Sequence, residues 1–63
     1  MKHILQFFAF EHLPHHLKVV SQNFSVLAHR MVEDLPHNGE LEVALRKLLE
    51  AKDAAVRAMI FKS

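Results

Sequence analysis

The chain has 63 residues, no cysteine, and a nearly even charge balance of 8 lysines and arginines against 7 aspartates and glutamates. The absence of cysteine excludes disulfides and thiolate zinc sites, and the even charge argues against a protein that coats DNA through many phosphate contacts. So short a chain buries only a small core, and without disulfides it is expected to gain stability from oligomerisation or from a metal held by histidine and carboxylate ligands.

The composition also bears on membranes and targeting. No apolar run approaches the roughly 20 residues needed to cross a bilayer. Residues 1–10 are apolar, but no small-residue cleavage site follows them, so we expect neither a signal peptide nor a membrane partner. A hydrophobic content of 51% with a single glycine is typical of a folded all-α protein, and we expect one domain spanning residues 1–63.

Residues 1–13 are predicted to form an extended N-terminal arm. Phe8 and Phe10 alternate with Ala9 and Glu11, so both rings would face the same side of an extended chain. Burying each ring is worth roughly 1.5–3 kcal/mol, and for Phe8 we prefer the interpretation that it packs on the helices. Phe10 lies at the junction between the arm and the first helix.

Residues 14–35 are predicted to form the first helix. Pro14 fits its first turn, where a missing backbone N–H costs nothing. Apolar side chains then recur every three or four residues, as on one face of an amphipathic helix. They are Leu17, Val20, Phe24, Leu27, Met31 and Leu35. Pro36 ends the helix because the residue before a proline disfavours the helical region.

Residues 39–61 are predicted to form the second helix, with Asn38 as its N-cap and two glutamates in its first turn that complement the helix dipole. Its apolar residues form a wide band. They are Leu41, Ala44, Leu45, Leu48, Leu49, Ala51, Ala55, Val56 and Met59. The short connection between the two helices favours an antiparallel hairpin.

The outer side of the second helix is charged. Glu42–Arg46 and Asp53–Arg57 have the acid-first order that favours i,i+4 ion pairs. The apolar band is too wide for a two-helix hairpin to cover. Either the arm folds over it within one chain or, as we favour, other copies of the chain cover it in a homo-oligomer.

The six histidines raise the possibility of a metal site. His12, His15 and His16 are close in sequence, but His15 and His16 would point about 100° apart on a helix. Pro14 separates His12 from His16, although their spacing is one that zinc ligands use on a helix. Solvated histidines are the better interpretation, and we expect no metal and no cofactor.

Catalytic patterns are sparse. Glu11 with His12 or His16 could form an acid–base pair, and Ser21 or Ser25 could act as a nucleophile. However, no nucleophile elbow, phosphate loop or paired-carboxylate pattern is present, and one glycine cannot form a glycine-rich cradle. We therefore expect that the chain is not an enzyme.

The start of the first helix suits an anion. A helix N-terminus offers free N–H groups and positive potential, and His15, His16 and Lys18 add donors nearby. The ring of Phe10 lies next to this point, so a base could stack on the aromatic face while the N–H groups and cations hold a phosphate. A nucleotide site is one of several possibilities here.

Three runs carry a family resemblance across residues 8–58: "FAFEHLP", "LKVVSQNFSVLAHRMVEDLP" and "LEVALRKLLEAKDAAVRA". Their shared features are an aromatic-x-aromatic start, Leu27-Ala28 on the first helix, a proline-containing turn, and the pattern "AL-x-KL-x-EA". As an ordered set these features resemble the small phage anti-defence proteins that act as cyclic-oligonucleotide sponges, the anti-CBASS family and its anti-Thoeris relatives.

The resemblance implies a compact homo-hexamer of helical protomers in the cytoplasm of the infected bacterial host. It implies binding of cyclic di- or trinucleotide immune messengers in pockets shared between protomers, without cleavage. The alternative is a helical module that self-associates or caps a partner and binds no small molecule. Full burial of Phe10 within its own protomer, with no polar groups converging beside it, would favour the alternative. A third possibility, a DNA or RNA binder, predicts a basic face, and the acids and bases interleaved along the second helix count against it.

The resemblance also implies site residues. Phe10 takes the position of the aromatic that stacks on a base, and Ser21 that of the residue that meets the phosphates, with Lys18 one turn earlier. The candidate ligand contacts are Phe8, Phe10, His12, His16, Lys18 and Ser21.

The chain departs from the family pattern at several of these positions. Phe10-Glu11 stands where relatives often carry Tyr-His, so the ring at Phe10 can stack but cannot donate a hydrogen bond. Ser21 offers a phosphate only a neutral hydrogen bond. Residues 54–56, Ala-Ala-Val, replace a "W-A-N". Glu11 is expected to face away from an anionic ligand.

Overall fold

The computed structural model describes residues 2–61, and every regular element in that range is helical. A short helix α1 (Lys2–Leu5) continues directly into a 3-10 turn (Gln6–Phe8). Two long helices follow, α2 (His15–Asp34) and α3 (Gly39–Ile60). The predicted all-α class is confirmed, while Met1 of the predicted arm lies outside the described residues.

The ends of α2 and α3 follow from their flanking residues. Pro14 is the N-cap of α2, and its carbonyl oxygen accepts from the N–H of Lys18 at 2.8 Å. Leu35 has extended dihedral angles, as expected of the residue before a proline. The side-chain oxygen of Asn38 accepts from the N–H of Leu41 at 3.1 Å, so the predicted N-cap of α3 is confirmed.

The prediction of an extended arm is wrong for residues 2–8, which are helical. Ile4, Leu5 and Phe8 have the one- and four-residue spacing of a helix face, so a helical turn points all three side chains at the core. Phe8 is completely buried, whereas Phe10 beyond the turn is half-buried. The two rings therefore have different environments, and the strand-like alternation was misleading.

The core lies where the N-terminal residues meet the two long helices. Phe8 packs with Ala28 of α2 and with Leu41 and Leu45 of α3, all of them buried. Partly buried apolar side chains surround this cluster: Ile4, Leu5, Phe24, Met31, Val32, Leu48 and Leu49. Phe8 thus anchors the N-terminal residues on α2 and α3, and this contact positions the groove described next.

The ion pairs on α3 differ in part from the prediction. Glu42 and Arg46 approach to 3.9 Å on the exposed side of the helix. Asp53 instead lies 2.8 Å from Lys52, and within residues 2–61 it forms no ion pair with Arg57, so that prediction is wrong. Over the same range, no helix is long and apolar enough to cross a membrane.

Candidate functional site

A groove of about 410 Å³ separates the N-terminal residues from the C-terminal half of α3. Its volume falls within the roughly 300–1,000 Å³ of small-molecule sites. One wall comes from the 3-10 turn and the loop before α2, and the other from α3. The groove is lined by Gln6, Phe7, Ala9, His12, Leu13, Lys52, Asp53, Val56 and Arg57.

The helical turn at residues 6–8 explains the aromatic group in this groove. Neighbouring positions of a helical turn point in different directions, so the burial of Phe8 turns Phe7 outward. Phe7 remains 55% exposed. An exposed phenyl ring on the rim of a groove is a face on which a planar ring can stack.

The α3 wall supplies most of the charge. Lys52, Asp53, Val56 and Arg57 share one face because they are one, four and five residues apart on a helix. Lys52 Nζ lies 2.8 Å from Asp53 Oδ1, and the lysine side chain is only 13% exposed. Arg57 is exposed and forms no ion pair among the described residues, so its guanidinium is available to an anion.

Two predicted contact residues have no surface to offer a ligand. Phe8 and Ser21 are both completely buried within the protomer. The ring of Phe8 fills the core, and Ser21 lies on the inner face of α2 together with Ser25 and Ala28. We therefore exclude Phe8 and Ser21 from the candidate contact surface.

The other predicted contacts do not all come together. His12 is exposed and lines the groove. Phe10 is half-buried and does not line it. His16 and Lys18 lie in the first turn of α2, exposed and half-buried respectively, and also outside the lining of the groove.

Ser21 has an unusual hydroxyl. Its Oγ is buried and has no hydrogen-bond partner among the residues that the structure describes. Ser25 and Ala28 lie on the same buried face of α2. The Ser21 hydroxyl is therefore enclosed within the protomer, where it gains no hydrogen bond from water.

Glu11 is tied to its own backbone. Its Oε2 accepts from the N–H of Phe10 at 3.1 Å. Hydrogen bonds from its own N–H and then from that of Phe10 lower the pKa of the Glu11 carboxyl, with smaller contributions from the charges of His12 and Lys18. Glu11 does not line the groove, so its carboxylate does not oppose an anion there.

Sequence reasoning missed Phe7, Lys52 and Arg57. Arg57 was assigned to an ion pair with Asp53, and the helical turn that exposes Phe7 was not predicted. The helical spacing of Ile4, Leu5 and Phe8 is a short signal for the turn that exposes Phe7, whereas Lys52 and Arg57 join the groove only through long-range packing. Over residues 2–61, no group of three or more histidine, aspartate or glutamate side chains is arranged to hold a metal ion.

Comparison with known proteins adds no relative. No family model, no curated protein and no solved structure matches the chain.

Proposed function

We propose that the chain is a phage anti-defence protein that sequesters cyclic di- or trinucleotide immune messengers in the cytoplasm of the infected host, without cleaving them. The observation that carries this proposal is the groove, which joins the exposed ring of Phe7 with the basic side chains of His12, Lys52 and Arg57. A nucleotide needs both an aromatic surface for its base and cations for its phosphate.

The chemistry of each part supports nucleotide binding. A base stacked on an aromatic side chain contributes about 1–3 kcal/mol. The arginine guanidinium is planar and donates two parallel hydrogen bonds to a phosphate. In this proposal, Phe7 takes the stacking role that the resemblance gave to Phe10, and Arg57 takes the phosphate-binding role that it gave to Ser21.

The composition of the groove favours binding over cleavage. Its lining contains no serine, threonine or cysteine that could attack phosphorus. Its one carboxylate, that of Asp53, is engaged by Lys52 at 2.8 Å. A ligand held there would be sequestered by mass action and released unchanged.

Assembly is a second part of the proposal. We infer that α2 and α3 form an antiparallel hairpin and that several protomers, six by the family resemblance, associate through their exposed apolar surfaces. Seven large hydrophobic side chains outside the groove, among residues 2–61, are 44–68% exposed, which supports association. They are Val19, Val26, Leu27, Leu35, Val43, Ile60 and Phe61.

Calorimetry with a panel of cyclic di- and trinucleotides tests the binding proposal. We expect heat of binding from at least one ligand, weakened about tenfold or more in Arg57→Ala, because a hydrogen bond to a charged group is worth about 1.5–3 kcal/mol. Arg30→Ala is the matched control, since Arg30 is exposed on α2 and outside the groove. No heat from any ligand at tens of micromolar protein would contradict the proposal.

The second candidate function is a self-associating helical module that binds no small molecule. The same exposed apolar residues favour it, because an interaction module needs such a surface and no groove. Both candidates predict an oligomer by light scattering, so the calorimetry separates them. An oligomer that binds no cyclic nucleotide would support the module.

A further inference from the structure

The pairing of Lys52 with Asp53 is unusual for a helix. Adjacent helical residues point in different directions, so ion pairs normally join residues three or four apart. Here Lys52 Nζ still reaches Asp53 Oδ1 at 2.8 Å, and its side chain is 13% exposed against 49% for the aspartate. The lysine ammonium is thus held by a carboxylate inside the groove and is not free for a ligand.

This pair sets the charge of the groove. Lys52 and Arg57 contribute two positive charges and Asp53 one negative charge, so these three residues leave a balance of one positive charge. Arg57 is four residues after Asp53 on the same face of α3, and a phosphate bound by Arg57 therefore approaches the carboxylate as well. The repulsion between the two anions grows with the charge on the phosphate.

We propose that Asp53 is a specificity-determining residue that restricts the groove to phosphodiesters and rejects terminal phosphates. A phosphodiester carries one negative charge for each phosphorus, whereas a phosphate monoester carries about 1.5 to 2 near neutral pH. Arg57 balances a phosphodiester, and Lys52, held by Asp53, supplies no second cation for a monoester. This inference rests on the proposed function, because it assigns a ligand class to the same groove.

The consequence is discrimination between a cyclic dinucleotide and its ring-opened form. Both contain the same bases and the same number of phosphorus atoms, but the linear form ends in a 5′-phosphate monoester. The groove would hold the intact messenger and release the hydrolysed one. Ordinary mononucleotides with terminal phosphates would be rejected for the same reason.

The experiment measures the affinities of the wild type and of Asp53→Asn by calorimetry. The probes are cyclic di-AMP, cyclic di-GMP, their linear 5′-phosphorylated forms and inorganic pyrophosphate. Asparagine keeps the size of the side chain but removes the charge and frees Lys52. In Asp53→Asn, we expect the affinity for the linear forms and for pyrophosphate to rise by about tenfold or more, because the freed Lys52 adds one charge-assisted contact. The affinity for the cyclic forms should rise by less than about threefold.

Glu50→Gln is the matched control. It removes the same charge from α3, next to another lysine 3.9 Å away, but Glu50 does not line the groove. This variant should leave every affinity unchanged. Thermal melting of both variants verifies that each is folded.

The outcomes separate this inference from the proposed function. An equal gain for cyclic and linear ligands in Asp53→Asn, or no gain for either, would overturn the role of Asp53. If neither protein binds the cyclic probes, the proposed function fails for these messengers. A selective gain for pyrophosphate and the linear forms would still support the charge selectivity of the groove.

Discussion

At the scale of single residues, the buried hydroxyl of Ser21 is the clearest source of lost stability. Its Oγ has no hydrogen-bond partner within residues 2–61, and an unsatisfied buried polar group costs about 1–3 kcal/mol. Ser21→Ala should therefore raise the free energy of unfolding by about 1 kcal/mol or more, measured by chemical denaturation. Ser25→Ala is the comparison, because the Oγ of Ser25 is not both enclosed and unpaired. This variant should change the free energy of unfolding by less.

A loss of stability in Ser21→Ala would contradict this account. It would mean that the hydroxyl has a partner in the working form of the protein. The resemblance gives Ser21 a role at the phosphates, so such a result would also return Ser21 to the candidate contacts. The measurement therefore bears on function as well as on packing.

Glu11 is a second single residue with an expected effect, a pH-dependent contribution to the free energy of unfolding. Backbone hydrogen bonds lower the pKa of its carboxyl below the ordinary value of 4.5. The contribution to stability is therefore present above pH 4.5 and is lost as the pH falls through the lower pKa of the folded state. We expect Glu11→Gln to lose less stability than the wild type over that acidic range, followed by circular dichroism.

The control for Glu11 is Glu33→Gln. Glu33 is exposed on α2 and forms no ion pair among the described residues. Its replacement should leave the acid dependence close to that of the wild type. Identical acid profiles for Glu11→Gln and the wild type would show that the Glu11 hydrogen bond contributes nothing to folding.

At the scale of elements, the N-terminal turn places Phe8 where it stabilises the fold and Phe7 where it can contact a ligand. Phe8 is buried in the core cluster and Phe7 is exposed in the groove. Phe8→Ala should lower the free energy of unfolding by about 3–5 kcal/mol, whereas Phe7→Ala should change it by no more than about 0.5 kcal/mol. Chemical denaturation measures both, and a similar loss in the two variants would contradict the described packing of residues 2–8.

The elements also show how far the sequence alone predicts this fold. Helices α2 and α3 were predicted to within one residue at each end, because Pro14, Pro36 and Asn38 mark their ends by local chemistry. The helical conformation of the N-terminal residues was not predicted, because four or five positions carry too little periodicity to distinguish a helical turn from an extended arm. The groove depends on that turn and on long-range packing, so of the predicted contacts only His12 lines it.

At the scale of the whole molecule, the account requires association between copies. Val19 and Val26 are seven residues apart and therefore lie on one side of α2, and both are about half exposed. We expect the wild type to be oligomeric by light scattering and Val26→Lys to shift it toward smaller species, because an apolar interface does not accommodate an unpaired charge. Val43→Lys makes the same change at an exposed position of α3. Comparison of the two variants shows which helix forms the contact between copies.

A monomeric wild type at tens of micromolar protein would contradict this part of the account. It would also remove the main source of stability that a short chain without disulfides is expected to have. The groove would remain, because its lining comes from a single protomer.

We propose that a cyclic nucleotide binds in the groove between residues 6–13 and α3. The most direct test is a titration of the isotope-labelled protein with a cyclic dinucleotide, followed by the backbone amide signals in NMR spectra. We expect saturable shifts concentrated at Phe7, His12, Lys52 and Arg57, with the turn at residues 35–38 unaffected and the nucleotide recovered intact. No shifts, or shifts confined to Phe10, His16 and Lys18 at the start of α2, would contradict it.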